Sequence, residues 1–227
     1  MSVKVVDTRL PGVKRIDVPI HRDARGYFVE GFQAARYQDA LGIECAFVQD
    51  NVSHSTRGVL RGLHYQATHP QGKLIHVMHG TVFDVVVDLR ADSPTFGQWQ
   101  GHELAAASQA DEPGEGSQAA QTQLWIPPGF AHGFQALSDS ATVHYKCTEY
   151  YHADDEVCLL WNDPDLGIAW PDPQPILSSK DAQGITFADL QRNGRLPRVL
   201  HVDTALAHLT EAEGRLTRLG HVFDARD

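Results

Sequence analysis

Cysteine and methionine are scarce in this chain of 227 residues, which has three of the first and two of the second. Cys45, Cys147 and Cys158 are too few and too scattered for a disulfide framework or a zinc spacing, so reduced, buried thiols in a cytoplasmic protein are expected. Long apolar runs are missing as well. The stretch from Val82 to Val87 is interrupted by Asp84, and nothing approaches the ~20 residues needed to cross a bilayer. The start, MSVKVVDTRLPG, lacks a basic stretch followed by a long apolar region, so no secretory signal is expected. Positive charge is also in short supply, with 19 Lys+Arg against 29 Asp+Glu and a net charge of −10. General nucleic-acid binding needs a basic face and is not expected. A few local cations can still hold one small anionic ligand.

At 42% hydrophobic the chain is too apolar for disorder and long enough to bury a core. GYFVEGF, CAFVQDNV, KLIHVMHGTVFDVVVDL, LWIPPGF and ATVHYKCTEYY are rich in Val, Ile, Phe and Tyr. Gly, Pro, Asp and Ser punctuate them. That spacing predicts an all-β antiparallel sandwich or barrel, not an α/β fold. One short helix is predicted over Gln33 to Leu41. Ala105 to Thr122 holds no large apolar residue and is expected to be a mobile loop. Residues 1–191 read as one domain and 192–227 as an extension, with an amphipathic helix expected from Asp203 to Leu219.

Two of the 13 histidines stand out. His64 lies in RGLHYQ, between a strand-like run and a polar turn. His132 lies in IPPGFAHGF, where Pro127, Gly129 and His132 form P-x-G-x-x-H, a tight turn that feeds a histidine into a strand. That spacing resembles the second motif of cupins, small jelly-roll barrels. Metal-binding cupins add a His-x-His pair and a carboxylate, but Tyr65 and Gln66 follow His64 here. A catalytic metal is therefore not expected. Lys73 opens an alternating strand and points either to solvent or into the barrel, where it would suit an oxyanion. Tyr145 is a core tyrosine or a proton donor. Arg25 and Arg61, each beside a glycine, are solvated or grip an anion. Asp181, in ILSSKDAQG, reads locally as a helix or turn cap.

Taken in order, RDARGYFVEGF, FVQDNVSHSTRGVLRGLHYQ, QGKLIHVMHGTVFDVVVDLRADSPTFGQW, LWIPPGFAHGFQALSD, YKCTEYYHADDE, LLWNDPDLGIAWP and LSSKDA resemble the dTDP-4-dehydrorhamnose 3,5-epimerase family. The likeness spans about Val5 to Ala182. It implies a cupin-like jelly roll, a homodimer with strand exchange, a dTDP-linked 4-keto-6-deoxyhexose as substrate, and no metal or organic cofactor. Residue by residue, His64 matches the family's general base and Asp181 its paired carboxylate. Lys73 matches the enolate-supporting lysine, Tyr145 the tyrosine acid and His132 a further active-site histidine. Arg25, Phe28, Glu30, Gln49, Asn51, Arg61 and Tyr151 match positions lining the nucleotide and sugar site. The loop at 105–122 and the C-terminal extension depart from the family's common pattern, which leaves specificity open. A single-site 3- or 5-epimerase would keep the same residues. More distant readings are a metal-dependent cupin, a keto-isomerase and a non-catalytic sugar-nucleotide-binding cupin.

Overall fold

The computed structural model describes residues 2–43, 46–109 and 119–198. Thirteen strands and two α-helices are assigned among them. In chain order they are β1 (Lys4–Asp7), β2 (Lys14–Pro19), β3 (His21–Asp23), β4 (Gly26–Phe28), α1 (Ala34–Leu41), β5 (Gln49–Thr56), β6 (Leu60–Gln66), β7 (Lys73–His79) and β8 (Thr81–Asp88). There follow β9 (Trp99–Ala105), β10 (Ala120–Ile126), β11 (Phe130–Ala136), β12 (Ser140–Cys147), β13 (Glu156–Cys158) and α2 (Phe187–Asn193). One antiparallel sheet has the order β1-β2-β10-β7-β12-β5. A second has the order β13-β6-β11-β8-β9, and β3 and β4 form a separate hairpin.

The two larger sheets enclose a core. Ile75, Val77, Leu124 and Val143 from the first meet Val82, Val86, Phe130 and Phe134 from the second, all buried. Each such side chain contributes about 1.5–3 kcal/mol when it leaves water. The second sheet is covered on its other face too. Leu63, Tyr65, Val85 and Val87 pack there against Leu159, Trp170, Phe187 and Leu190 from the C-terminal segment. Burial on both faces explains why VFDVVVD and FAHGFQA do not alternate.

The expected helix is present as α1. The Gln33 side-chain oxygen accepts from the Arg36 N–H at its start, and Tyr37 and Leu41 are buried against Ile16, Leu74 and Trp125. The expected loop over Ala105 to Thr122 is corrected at both ends. Ala105 closes β9, Ala107–Gln109 forms a 3-10 turn, and Ala120 and Thr122 pair with Pro19 and Asp17 in β10. Small side chains serve there because the space is tight: Ala106 is fully buried, and Gln121 donates to the Val77 and Ala105 carbonyls. Residues 110–118 and the helix expected at Asp203 to Leu219 lie outside the described residues. Among those described, no helix is long and apolar enough to cross a membrane.

Candidate active site

β6 carries the central histidine, and its position follows from two glycines. At Gly62 the backbone has φ +118, and a Cβ there would lie 2.7 Å from the Gly133 Cα and 2.8 Å from the His132 carbonyl. Only glycine lets β6 and β11 approach this closely. The register shifts between His132 and Phe134, which sets His64 directly opposite His132. On its other side β6 pairs with β13, where Cys158 is the partner of His64.

Asp181 opens a 3-10 turn far along the chain, yet its Oδ1 lies 2.6 Å from His64 Nε2. Ser178 Oγ donates to the second oxygen of Asp181 at 2.7 Å, and the Asp181 N–H donates back to Ser178 Oγ. Burial would raise the Asp181 carboxyl. Hydrogen bonds from His64, Ser178 and the Gly62 N–H outweigh it and hold the group below the usual carboxylate range. An ionised carboxylate only accepts, so the proton between them sits on His64 Nε2 and leaves Nδ1 with a free lone pair. Nδ1 lies 3.9 Å from Glu156 Oε1.

A second pair stands beside the first. His132 Nε2 is 2.7 Å from Asp84 Oδ2, and Asp84 is fully buried in β8 with its other oxygen unpartnered among the described residues. Lys73, the first residue of β7, points inward and is buried. Burial pulls its ammonium below the ordinary lysine value, against the opposing pull of Cys147, Glu156 and Asp84. Tyr145 on β12 is partly buried against the core. Burial, reinforced by Cys147, pushes its hydroxyl upward, so it stays protonated.

These groups face one cavity of about 460 Å³, within the range of small-ligand sites. Gln49, Asn51, Arg61, His64, Lys73, His132, Tyr145, Tyr151 and Asp181 all line it. Arg61 is held by Ser55 Oγ at 2.9 Å and the His54 carbonyl at 3.1 Å. Gln49 donates to Asn51 and accepts from the Tyr151 N–H. The other three expected residues lie elsewhere in this chain. Arg25 is exposed in the β3–β4 hairpin and paired with Asp23, Phe28 is exposed on the same hairpin, and Glu30 pairs with Arg36.

Sequence reading missed several groups. Glu156 accepts from the Tyr151 hydroxyl at 2.9 Å and pairs with Lys180, and Ser53, Gln71 and Ser178 also line the cavity. Asp84 was visible only as an interruption in an apolar run. Cys158 Sγ lies 3.7 Å from Asp181 Oδ1, and burial followed by the Asp181 charge pushes its thiol up to about 12.

The sequence model described as dTDP-4-dehydrorhamnose 3,5-epimerase matches residues 7–189 of the chain. The chain belongs to the dTDP-4-dehydrorhamnose 3,5-epimerase family. A family member from Neisseria gonorrhoeae is 46% identical over 190 residues, which is 83% of this chain and 54% of that protein. The chain thus spans about half of that relative's length. The Legionella pneumophila epimerase, solved with dTDP-4-keto-L-rhamnose, superposes with a TM-score of 0.78 at 46% identity, covering 88% of this chain and 100% of that one. A 3'-monoepimerase from Streptomyces bikiniensis, solved with dTDP-quinovose, gives 0.74 at 35% identity over 84% and 91%. The fold is the cupin-like one of the family, and the protein is an enzyme of the epimerase class.

Proposed function

We propose that the cavity binds a dTDP-linked 4-keto-6-deoxyhexose and inverts it at carbons 3 and 5, converting dTDP-4-dehydro-6-deoxyglucose to dTDP-4-dehydrorhamnose. The 2.6 Å contact between His64 and Asp181 carries this reading, because it leaves an unprotonated nitrogen available at a cavity wall. A ketone at carbon 4 acidifies the protons on both neighbouring carbons, since either carbanion delocalises onto the same oxygen. His64 removes the proton and Asp181 stabilises the imidazolium that forms. Lys73 as ammonium offsets the charge that develops on the oxygen, a contribution of several kcal/mol when water is excluded. Inversion needs a proton delivered to the opposite face, and Tyr145 supplies it.

Arg61 binds the diphosphate and Tyr151 stacks on thymine. Arg25 and Phe28 on the exposed β3–β4 hairpin, with Glu30 just beyond it, serve the site of a second subunit in a homodimer. No metal or organic cofactor enters these steps. The match to a 3'-monoepimerase supports a second reading, inversion at one carbon with the same groups.

Turnover of dTDP-4-keto-6-deoxyglucose by wild-type and variant protein tests the proposal. His64→Ala is expected to lose at least a thousandfold in kcat. Tyr145→Phe is expected to impair inversion more than proton exchange with solvent. Wild-type-like turnover by His64→Ala would overturn the base assignment.

A further inference from the structure

The dyad has a third ligand-bearing neighbour that the proposed epimerisation does not use. Cys158 is the strand partner of His64, and its Sγ lies 3.7 Å from the Asp181 oxygen that His64 Nε2 approaches to 2.6 Å. One nitrogen, one sulfur and one carboxylate oxygen, from His64, Cys158 and Asp181, all lie within 4.8 Å of one another. They come from three separate elements, β6, β13 and the 3-10 turn at Asp181. Chain spacing therefore gave no sign of the cluster.

We propose that His64, Cys158 and Asp181 form a site for Zn2+ or a similar borderline-soft divalent cation, and that its occupation switches the enzyme off. Zinc takes imidazole nitrogen, thiolate sulfur and carboxylate oxygen at about 2.0–2.3 Å in a tetrahedral arrangement. Those bond lengths place sulfur and oxygen about 3.6 Å apart and nitrogen and oxygen about 3.4 Å apart. The sulfur–oxygen separation is already 3.7 Å. The nitrogen–oxygen contact must open from 2.6 Å by less than an ångström, which side-chain rotation supplies. Thiolate and carboxylate together balance the charge of the dication. Lys180, a cation acting on Cys158, is itself drawn to Glu156. Mg2+ prefers an all-oxygen octahedral shell and is not accommodated by this donor set.

The inhibitory consequence follows from where the proton goes. The cation takes Nε2, and the proton that Nε2 carried in its hydrogen bond to Asp181 moves to Nδ1. The thiol proton leaves to solvent, and no electron changes hands. Nδ1 then carries hydrogen and has no lone pair to accept a substrate proton. This half of the proposal rests on the reading of His64 as the base, whereas binding does not.

The test titrates chelator-treated wild-type and Cys158→Ser protein with Zn2+, Co2+ and Mg2+, reading heat of binding, near-ultraviolet absorption and turnover. Wild type is expected to bind one Zn2+ per chain, and Co2+ to give a thiolate-to-cobalt charge-transfer band. Zn2+ should abolish turnover until a chelator restores it, and Mg2+ should do nothing. Cys158→Ser is expected to keep metal-free turnover, lose the band and bind Zn2+ at least tenfold more weakly. Cys45→Ser, which retains Cys158, should keep the band even if Cys158→Ser fails to fold. Equal Zn2+ affinity in Cys158→Ser, or no cobalt band in wild type, would overturn the site. A band with undiminished turnover would overturn the switch alone. A metal-free enzyme without activity would count against the functional reading, and the band would still decide the site.

Discussion

The N–H that His64 Nε2 donates to the Asp181 carboxylate determines which imidazole nitrogen is free for chemistry. Asparagine at position 181 can either donate or accept, so it no longer fixes that tautomer. Asp181→Asn is therefore expected to lower kcat by about 10²–10⁴-fold with KM little changed, read by steady-state kinetics. A change confined to KM would show that Asp181 serves binding instead. Lys73 sets a second expectation through its proton. Burial lowers its value, so rising pH removes its charge sooner than from a lysine in water. Tyr145 is shifted the other way and stays protonated through that window. Activity should fall on the alkaline side, starting below the ordinary lysine range. Lys73→Arg, which holds its charge, should flatten that limb at a reduced rate. An alkaline limb unchanged in Lys73→Arg would place its origin elsewhere.

At the scale of the strands, the close crossing of β6 and β11 positions the dyad. Gly62→Ala meets both a left-handed backbone and two backbone atoms nearer than 3.0 Å. Gly26→Ala meets a similar φ of +127 but open space. The strain alone costs about 1–3 kcal/mol, so Gly62→Ala should lose more than Gly26→Ala in a thermal melt. Equal melting temperatures would show that β6 has room to move. The Val, Ile and Phe runs announced the strands, and Gln33 to Leu41 announced α1. What pattern could not show was pairing. Ala120 and Thr122 look like loop residues until Pro19 and Asp17 pair with them. Asp181 and His64 stand 117 residues apart and looked unrelated on local grounds, so their partnership came from the family likeness. Glu156 and Lys180 carried no local signal and Asp84 showed only as a break in an apolar run, because each gains its meaning only from the neighbours that folding supplies.

Across the whole molecule, the two sheets divide the work. The core between them is apolar at Ile75, Val77, Phe130 and Phe134, and the same enclosure turns polar where Arg61, His64, Lys73, His132 and Tyr145 meet. A chain with a net charge of −10 can still hold a diphosphate there, because the cations act locally inside the cavity. The proposed reaction turns on proton removal at both carbons flanking the ketone. Proton NMR of the enzyme with dTDP-4-keto-6-deoxyglucose in D2O tests it most directly, followed by reductive trapping of the sugar. Deuterium uptake with inversion at carbons 3 and 5 is the expected outcome, and no uptake at either carbon would overturn the proposed reaction.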